Sequence, residues 1–139
     1  MLKVLLPVDG SENSLRTVQY AVQSAPLYRE PAELHLLNVQ RAFPSTLKMV
    51  GEDAKRYHHD EGIKALEPAR KLLDAAGIKY TYHIGVGDFG ETIAQYVRNL
   101  HVTQIVMGCR GASSVANMLL GSVTTRVLHL VEVPVLLVK

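Results

Sequence analysis

The amino-acid sequence predicts a single α/β domain over residues 1–139, a doubly wound sheet of five parallel strands with helices on both faces. Three observations predict this fold class. Apolar residues make up 47% of the chain, which is enough for a substantial core. Five apolar runs alternate with four segments of helical periodicity, as in parallel sheets with helical crossovers. With right-handed crossovers, we predict the strand order 3-2-1-4-5.

The first predicted strand is a short apolar run, LKVLLPV, a pattern typical of a strand buried on both faces. The five predicted strands comprise residues 2–8, 33–39, 79–86, 104–107 and 135–138. Ligands of such sheets bind at the carboxyl ends of the strands, at the point where the winding direction reverses. The loops after the first and fourth strands are therefore expected to form the binding cleft.

The four predicted helices carry apolar residues at helical spacing. The first begins near Ser11, and the second spans residues 52–76 and ends at Gly77. Pro68 lies inside the second helix, where we expect a kink or a break. The third helix is capped by Asp88. The residues predicted to face the core are Leu15, Val18, Val22 and Ala25 in the first helix, Tyr57, Ala65, Leu66, Ala69, Leu72, Leu73 and Ala76 in the second, Ile93, Val97 and Leu100 in the third, and Val123, Val127, Leu130 and Val131 in the fourth.

Charge and composition exclude several classes of protein. The net charge is only +2 and the charged residues are interspersed, whereas a nucleic-acid binder shows a basic stripe. Cys109 is the only cysteine, so no internal disulfide forms, which fits a reducing cytosol. The opening apolar run is interrupted by Asp9 too soon for a signal peptide, and no run approaches the roughly 18 residues of a membrane span. We therefore expect a cytoplasmic protein with no nucleic-acid or membrane partner.

One glycine-containing stretch points to a ligand. In GCRGASSVANMLLGS, residues 108–122, Gly108 and Gly111 follow the fourth strand, and Gly121 and Ser122 precede the last helix. Glycine lets a ligand approach the backbone, and a helix start offers unpaired amides and a partial positive charge. Ser122 can cap that helix or offer its hydroxyl to an anion. The spacing alone leaves two interpretations open, a phosphate cradle or an ordinary turn and helix start.

The whole chain resembles the universal stress protein family, in its ATP-binding branch. The most specific match is the glycine motif, G-x-x-G at 108–111 followed after nine residues by G-S at 121–122. The stretches VLLPVDGSENS, HLLNV, VGDFGETI, IVMGCRG and GSVTTRVLHLVEVPVLLVK resemble other parts of the family.

The resemblance implies that ATP lies across the cleft. By position, the adenosine end meets Pro7, Val8, Asp9 and Val39, the ribose and phosphates lie beside Met107 and Gly108, and the phosphates are cradled by Gly111, Gly121, Ser122 and Val123. Arg110 either adds a charge-assisted contact to the phosphates or points to solvent. Any Mg²⁺ would be held chiefly by phosphate oxygens and water, since the motif contains no carboxylate pair.

Other patterns have simpler interpretations. GVGDFG, residues 85–90, matches GxGxxG but follows the third strand, so we interpret it as a turn and a helix cap. The six histidines show no metal-ligand spacing and are interpreted as solvated or partly buried. Passive roles are expected for Cys109, Ser113 and Ser114, with modification as the alternative.

Three functions are compared. The favoured one is a non-catalytic ATP-binding regulator in stress tolerance that acts through an unknown protein partner. Slow ATP hydrolysis is the alternative, although no base near the terminal phosphate can be named. A phosphoacceptor receiver domain needs clustered acids after the first strand, where only Asp9 is present. The apolar last strand, Val135–Val138, is expected at a sheet edge, where it would pair with a second copy in a homodimer.

Overall fold

Five parallel strands and four helices alternate along the chain. The computed structural model describes residues 1–44, 51–109 and 120–139. In chain order the elements are β1 Lys3–Pro7, α1 Glu12–Ser24, β2 Glu33–Gln40, α2 Gly51–Ala75, β3 Tyr80–Val86, α3 Phe89–Leu100, β4 Gln104–Gly108, α4 Ser122–Leu130 and β5 Val135–Val138, with a 3₁₀ turn at Ala25–Leu27. The strands form one sheet in the order β3-β2-β1-β4-β5. The predicted fold class and strand order are confirmed.

The central strand β1 sets the position of the cleft. It pairs in parallel with β2, from Lys3 opposite Glu33 to Pro7 opposite Leu37, and on its other side with β4. The chain adds β2 and β3 on one side of β1, and β4 and β5 on the other. This reversal of winding opens a cleft at the carboxyl ends of β1 and β4.

Both faces of the sheet are buried, which explains the continuous apolar runs of the inner strands. One face packs against α1 and α2, and its buried residues include Val4, Leu6, Val18, Leu36, Leu66 and Leu73. The other face packs against α3 and α4, and its buried residues include Leu5, Leu37, Ile93, Ile105 and Val127. Successive side chains of a strand point to opposite faces, so β1 contributes to both cores.

The edge strand β3 departs from this pattern. Thr81, Tyr82 and Val86 are exposed, because β3 has a neighbouring strand on one side only. The third strand itself forms where residues 79–86 predict it, over Tyr80–Val86. Among the described residues, no helix combines the length and apolarity needed to cross a membrane.

Helix α1 begins where it is predicted to begin. Ser11 is the N-cap, and its hydroxyl accepts a hydrogen bond from the amide of Ser14 over 3.2 Å. The buried residues are mostly small, namely Ser14, Thr17, Val18, Ala21 and Ser24, while the predicted core residues Leu15, Val22 and Ala25 are only partly buried.

Helix α2 is unbroken through Pro68, so the predicted break is wrong. Pro68 is exposed, and so is Lys64, whose carbonyl normally accepts from the amide that a proline lacks. Both residues lie on the solvent-facing side of the helix, and α2 remains continuous despite the missing donor. Gly77 ends the helix as predicted, with a positive φ of 68° and hydrogen bonds to the last turn.

The buried face of α2 differs from the predicted one at both ends of the helix. Tyr57 is 45% exposed and Ala76 is exposed, whereas His58 and Gly62 are buried. The buried line runs through His58, Gly62, Leu66, Ala69 and Leu73. A Cβ at Gly62 would lie 2.7 Å from Ile84 on β3, so the absence of a side chain there sets how closely α2 packs on the sheet.

Helix α3 begins and packs as predicted. The Asp88 carboxylate accepts a hydrogen bond from the amide of Glu91 over 3.2 Å, which confirms the cap. Gly87, just before it, has a φ of 147°, a conformation that favours glycine. Ile93 and Val97 are buried. The GVGDFG stretch is therefore a turn and a helix cap, in agreement with its interpretation from sequence.

Candidate functional site

The two ends of the glycine motif meet at the carboxyl end of β4. The amide of Gly121 donates to the carbonyl of Cys109 over 2.7 Å, and the Thr124 hydroxyl donates to the carbonyl of Gly108 over 3.0 Å. Gly108 and Gly121 therefore lie on one side of the cleft, although residues 109–120 separate them in the sequence. The structure brings these predicted site residues together.

The second glycine of the motif begins α4. Gly121 is the N-cap, with φ −72° and ψ 163°, and it makes no side-chain cap. This is extended backbone that any residue adopts, so Gly121 is not required for its backbone angles. Ser122 is exposed and is already the first helical residue, so the alternative in which Ser122 caps the helix is wrong. The first amides and the dipole of α4 provide the local positive potential that favours a phosphate.

The loop after β1 is held by β2 and by α1. Val8 is 4% exposed, and its amide donates to the Leu37 carbonyl over 2.8 Å. The Asp9 amide donates to Ser14 Oγ over 3.3 Å, and Asp9 Oδ1 accepts from the Ser11 amide over 2.9 Å. The Asp9 side chain is thus partly engaged in organising its own loop.

Glycine 10 completes this loop and was not singled out from the sequence. Its φ is 86°, a left-handed conformation that glycine adopts readily, and a Cβ there would meet Ala65 of α2 at 3.5 Å. The signal that could have found it is the Asp-Gly pair directly after a buried strand, which is a common turn sequence.

Three other predicted site residues take part chiefly in the core. Met107 is 5% exposed and belongs to the core on the α3 and α4 face. Val39 and Val123 are partly buried against the same core. Because their side chains pack on the core, Met107, Val39 and Val123 offer mainly their backbones to the cleft. Arg110 and Gly111 lie outside the described residues, as do Ser113 and Ser114.

A buried amide at the end of β2 was missed from the sequence. Asn38 is 3% exposed. Its Nδ2 donates to the Val8 carbonyl over 2.8 Å, and its Oδ1 accepts from Gln40 Nε2 over 2.6 Å. The signal that could have found it is an asparagine in the strand run LHLLNV, where four of the six residues are apolar, since a buried polar group needs hydrogen-bond partners.

A second polar group lies away from the cleft, between β2 and β3. His35 Nε2 is 2.8 Å from Glu33 Oε1, and His35 Nδ1 is 2.9 Å from His83 Nε2. Burial lowers the pKa of His83, and the charge of the neighbouring His35 lowers it further. In the neutral pair His35 donates to the carboxylate and accepts from His83. His35 and His58 are buried, so the expectation that all six histidines are solvated or only partly buried is wrong.

A separate pocket of about 530 Å³ lies between α2 and the carboxyl end of β3, and its lining residues are Ala42, Phe43, Ala54, Lys55, His58, His59, Ile84 and Val86. None of the residues that are predicted to bind the nucleotide lines this pocket. Over residues 1–44, 51–109 and 120–139, no three His, Cys, Asp or Glu side chains cluster in a way that could hold a metal ion.

Comparison with known proteins identifies the family. The model of the universal stress protein family matches residues 1–139. Universal stress protein YxiE of Bacillus subtilis is 31% identical over 147 residues, which cover 99% of this chain and 98% of YxiE. Universal stress protein MJ0577 of Methanocaldococcus jannaschii is 35% identical over 152 residues, which cover 99% of this chain and 94% of MJ0577.

Solved structures agree with the sequence comparisons. The structure of MJ0577 aligns with a TM-score of 0.83 at 30% identity and covers 99% of this chain and 95% of that one. A universal stress protein solved in complex with cAMP aligns with a TM-score of 0.72 at 27% identity and covers 99% of this chain and 97% of that one. From its sequence and its fold, this chain belongs to the universal stress protein family.

Proposed function

We propose that this chain binds ATP in the cleft at the carboxyl ends of β1 and β4, and that it acts in the cytoplasm as a nucleotide-dependent regulator in stress tolerance. The observation that carries the proposal is the contact between Gly108-Cys109 and the uncapped start of α4. A glycine-lined helix start at the winding reversal of a parallel sheet is suited to phosphate groups.

In this proposal the adenosine end of ATP lies against the loop after β1 and the end of β2, where Pro7, Val8, Asp9 and Val39 are found. The phosphates lie toward Gly108, Gly121, Ser122 and the backbone of Met107 and Val123. Arg110 and Gly111 are assigned to the phosphates through the family motif alone. Mg²⁺ would be bound mainly by phosphate oxygens and water.

The relatives support a nucleotide as the ligand. The 27% identical universal stress protein was solved in complex with cAMP, which contains the same adenosine moiety as ATP with a single phosphate. The amides and the dipole at the start of α4 favour a ligand with more negative charge, so we assign ATP rather than cAMP to this chain.

We further propose a homodimer through β5. Val135–Val138 pairs with β4, and all four of its residues are partly buried. As the last strand in the sheet, β5 presents a second edge of backbone groups, and an apolar edge of this kind favours pairing with another chain. A two-fold axis through β5 would place the same strand of a second copy alongside it. A regulatory protein partner would then respond to the nucleotide state of the dimer.

Equilibrium dialysis of the purified chain with Mg²⁺ and ATP, from micromolar to millimolar concentrations, tests the proposed ligand. We expect saturable binding of ATP and weaker binding of ADP, AMP and cAMP, because these ligands lose phosphate contacts. ATP turnover followed in the same samples should be slow or absent. Absence of saturable ATP binding, or tighter binding of cAMP than of ATP, would contradict the proposal.

A further inference from the structure

The loop that forms the adenosine end of the cleft begins where backbone pairing between β1 and β2 stops. The last paired residues are Pro7 and Leu37, and the amide of Val8 makes one more ladder bond, to the Leu37 carbonyl. The Val8 carbonyl is not held by a backbone amide of β2. It is held by the side chain of Asn38, whose Nδ2 lies 2.8 Å from it.

The orientation of the Asn38 amide follows from chemistry. The Val8 carbonyl can only accept a hydrogen bond, so the nitrogen of the Asn38 side chain must face it. The Asn38 oxygen then faces Gln40 and requires a donor, which Gln40 Nε2 supplies at 2.6 Å. The reversed amide would place its oxygen against the Val8 carbonyl oxygen, and the Asn38 side chain is only 3% exposed. Burying acceptors that have no donor is energetically unfavourable. The two hydrogen bonds, from Gln40 to Asn38 and from Asn38 to Val8, therefore have only one possible donor-to-acceptor direction.

Gln40 also connects a second loop to this series of hydrogen bonds. Its backbone carbonyl accepts from the amide of Gly87, in the turn before α3, over 2.9 Å. Beyond Val8, the Asp9 amide donates to Ser14 Oγ. The peptide between Val8 and Asp9 is thus held at its carbonyl by Asn38 and at its amide by α1, and its plane is fixed from both sides.

We propose that Asn38 is a positioning residue of the nucleotide site: its side-chain amide, oriented by Gln40, holds the Val8–Asp9 peptide in the orientation that the adenosine end of the ligand requires. Asn38 acts through Val8 and does not touch the nucleotide. The identity of the ligand rests on the proposed function. The geometry rests on the hydrogen bonds of the free protein.

The sharpest test is Asn38→Asp, which keeps the shape of the side chain. Burial raises the pKa of a carboxyl group. When ionised, this carboxylate would repel the Val8 carbonyl, and when protonated its hydroxyl would donate to the same carbonyl. We expect ATP affinity, measured relative to the wild type at each pH, to be at least about tenfold weaker at pH 8 and to recover toward the wild-type value as the pH falls to 5.5.

Two variants and one control complete the binding experiment. Asn38→Leu, of similar volume, should lose about tenfold in ATP affinity without recovery at low pH. Gln40→Leu, at a partly buried position, removes only the orienting donor and should produce a smaller loss, which keeps the test available if Asn38→Leu fails to fold. Asn99→Asp makes the same chemical change at an exposed site on α3 and should leave binding unchanged.

Amide hydrogen exchange of the protein without nucleotide separates the geometry from the ligand. Asn38→Leu should accelerate exchange at Val8 and Asp9 while leaving Leu5, in the middle of β1, protected. Unchanged exchange at Val8 and Asp9, or a pH-independent affinity of Asn38→Asp relative to wild type, would overturn the inference. If the wild type binds no ATP, the proposed function fails and the ligand part of the inference fails with it. The exchange rates then still decide whether Asn38 fixes the loop.

Discussion

Gly62 offers a direct test of how α2 packs on the sheet. A Cβ at this position would lie 2.7 Å from both Ile84 Cδ1 and Ile84 Cγ2, and 2.8 Å from Ile84 Cγ1. The Cδ1 atom can move by rotation at the end of the side chain, but Cγ1 and Cγ2 are both bonded to Cβ of a β-branched residue with a stiff χ1. The Gly62→Ala substitution therefore forces α2 and β3 apart or forces Ile84 off its rotamer.

The expected magnitude is the difference between two effects. Alanine in a helix interior is favoured over glycine by about 1 kcal/mol, and insertion of a methyl group into a packed core costs about 1–3 kcal/mol. The clash wins, and we expect Gly62→Ala to lower the free energy of unfolding by about 1 kcal/mol. In an Ile84→Ala background the three clashing atoms are absent, so the same substitution should raise the free energy of unfolding by about 1 kcal/mol.

Urea unfolding of the wild type, the two single variants and the double variant measures all four free energies. The sign of the Gly62→Ala effect should reverse between the two backgrounds, and the coupling should exceed the roughly 0.5 kcal/mol within which independent sites add. Equal effects of Gly62→Ala in both backgrounds would refute the argument, because they would show that Ile84 does not limit the approach of α2.

Three further outcomes are expected. Gly121→Val should weaken ATP binding at least tenfold, about 1.4 kcal/mol, in a folded protein. Since the φ of Gly121, −72°, is ordinary, the loss would come from the added side chain. Near-normal ATP affinity by dialysis would show that Gly121 is only a turn residue. The wild type should sediment as a dimer at tens of micromolar concentration. Either Leu137→Lys or Leu136→Lys, on opposite faces of β5, should dissociate that dimer by bringing two like charges near the axis; a dimer resistant to both would place the interface elsewhere. Folding lowers the pKa of His83 below its ordinary value of 6.5. As the pH falls through 6.5, His83 is therefore protonated in the unfolded chain before it is protonated in the folded protein, and the free energy of unfolding decreases. His83→Gln should flatten the dependence of urea midpoint on pH between 7.5 and 5.5, and a slope equal to that of the wild type would contradict the assigned shift.

The sequence by itself determined the elements and their order. Strands buried on both faces must be apolar at nearly every position, and helices with one buried face must repeat apolar residues every three or four positions. These constraints act within short segments, so they can be read without knowing the partner. The caps at Ser11 and Asp88 and the stop at Gly77 are local for the same reason. Regular alternation then restricts the topology to a doubly wound sheet.

Only the tertiary structure decided which groups meet. Asn38 bonds to Val8 across 30 residues of chain, and His35 meets His83 across 48. Both contacts depend on the register between parallel strands, and a shift of one residue would turn each side chain to the opposite face. Which residues of α2 are buried likewise depends on how closely the helix approaches Ile84. The approach is close enough that only a glycine fits at position 62, and it leaves Tyr57 exposed. Local periodicity carries no information about such distances, because they are set by the packing of elements that are far apart in the sequence.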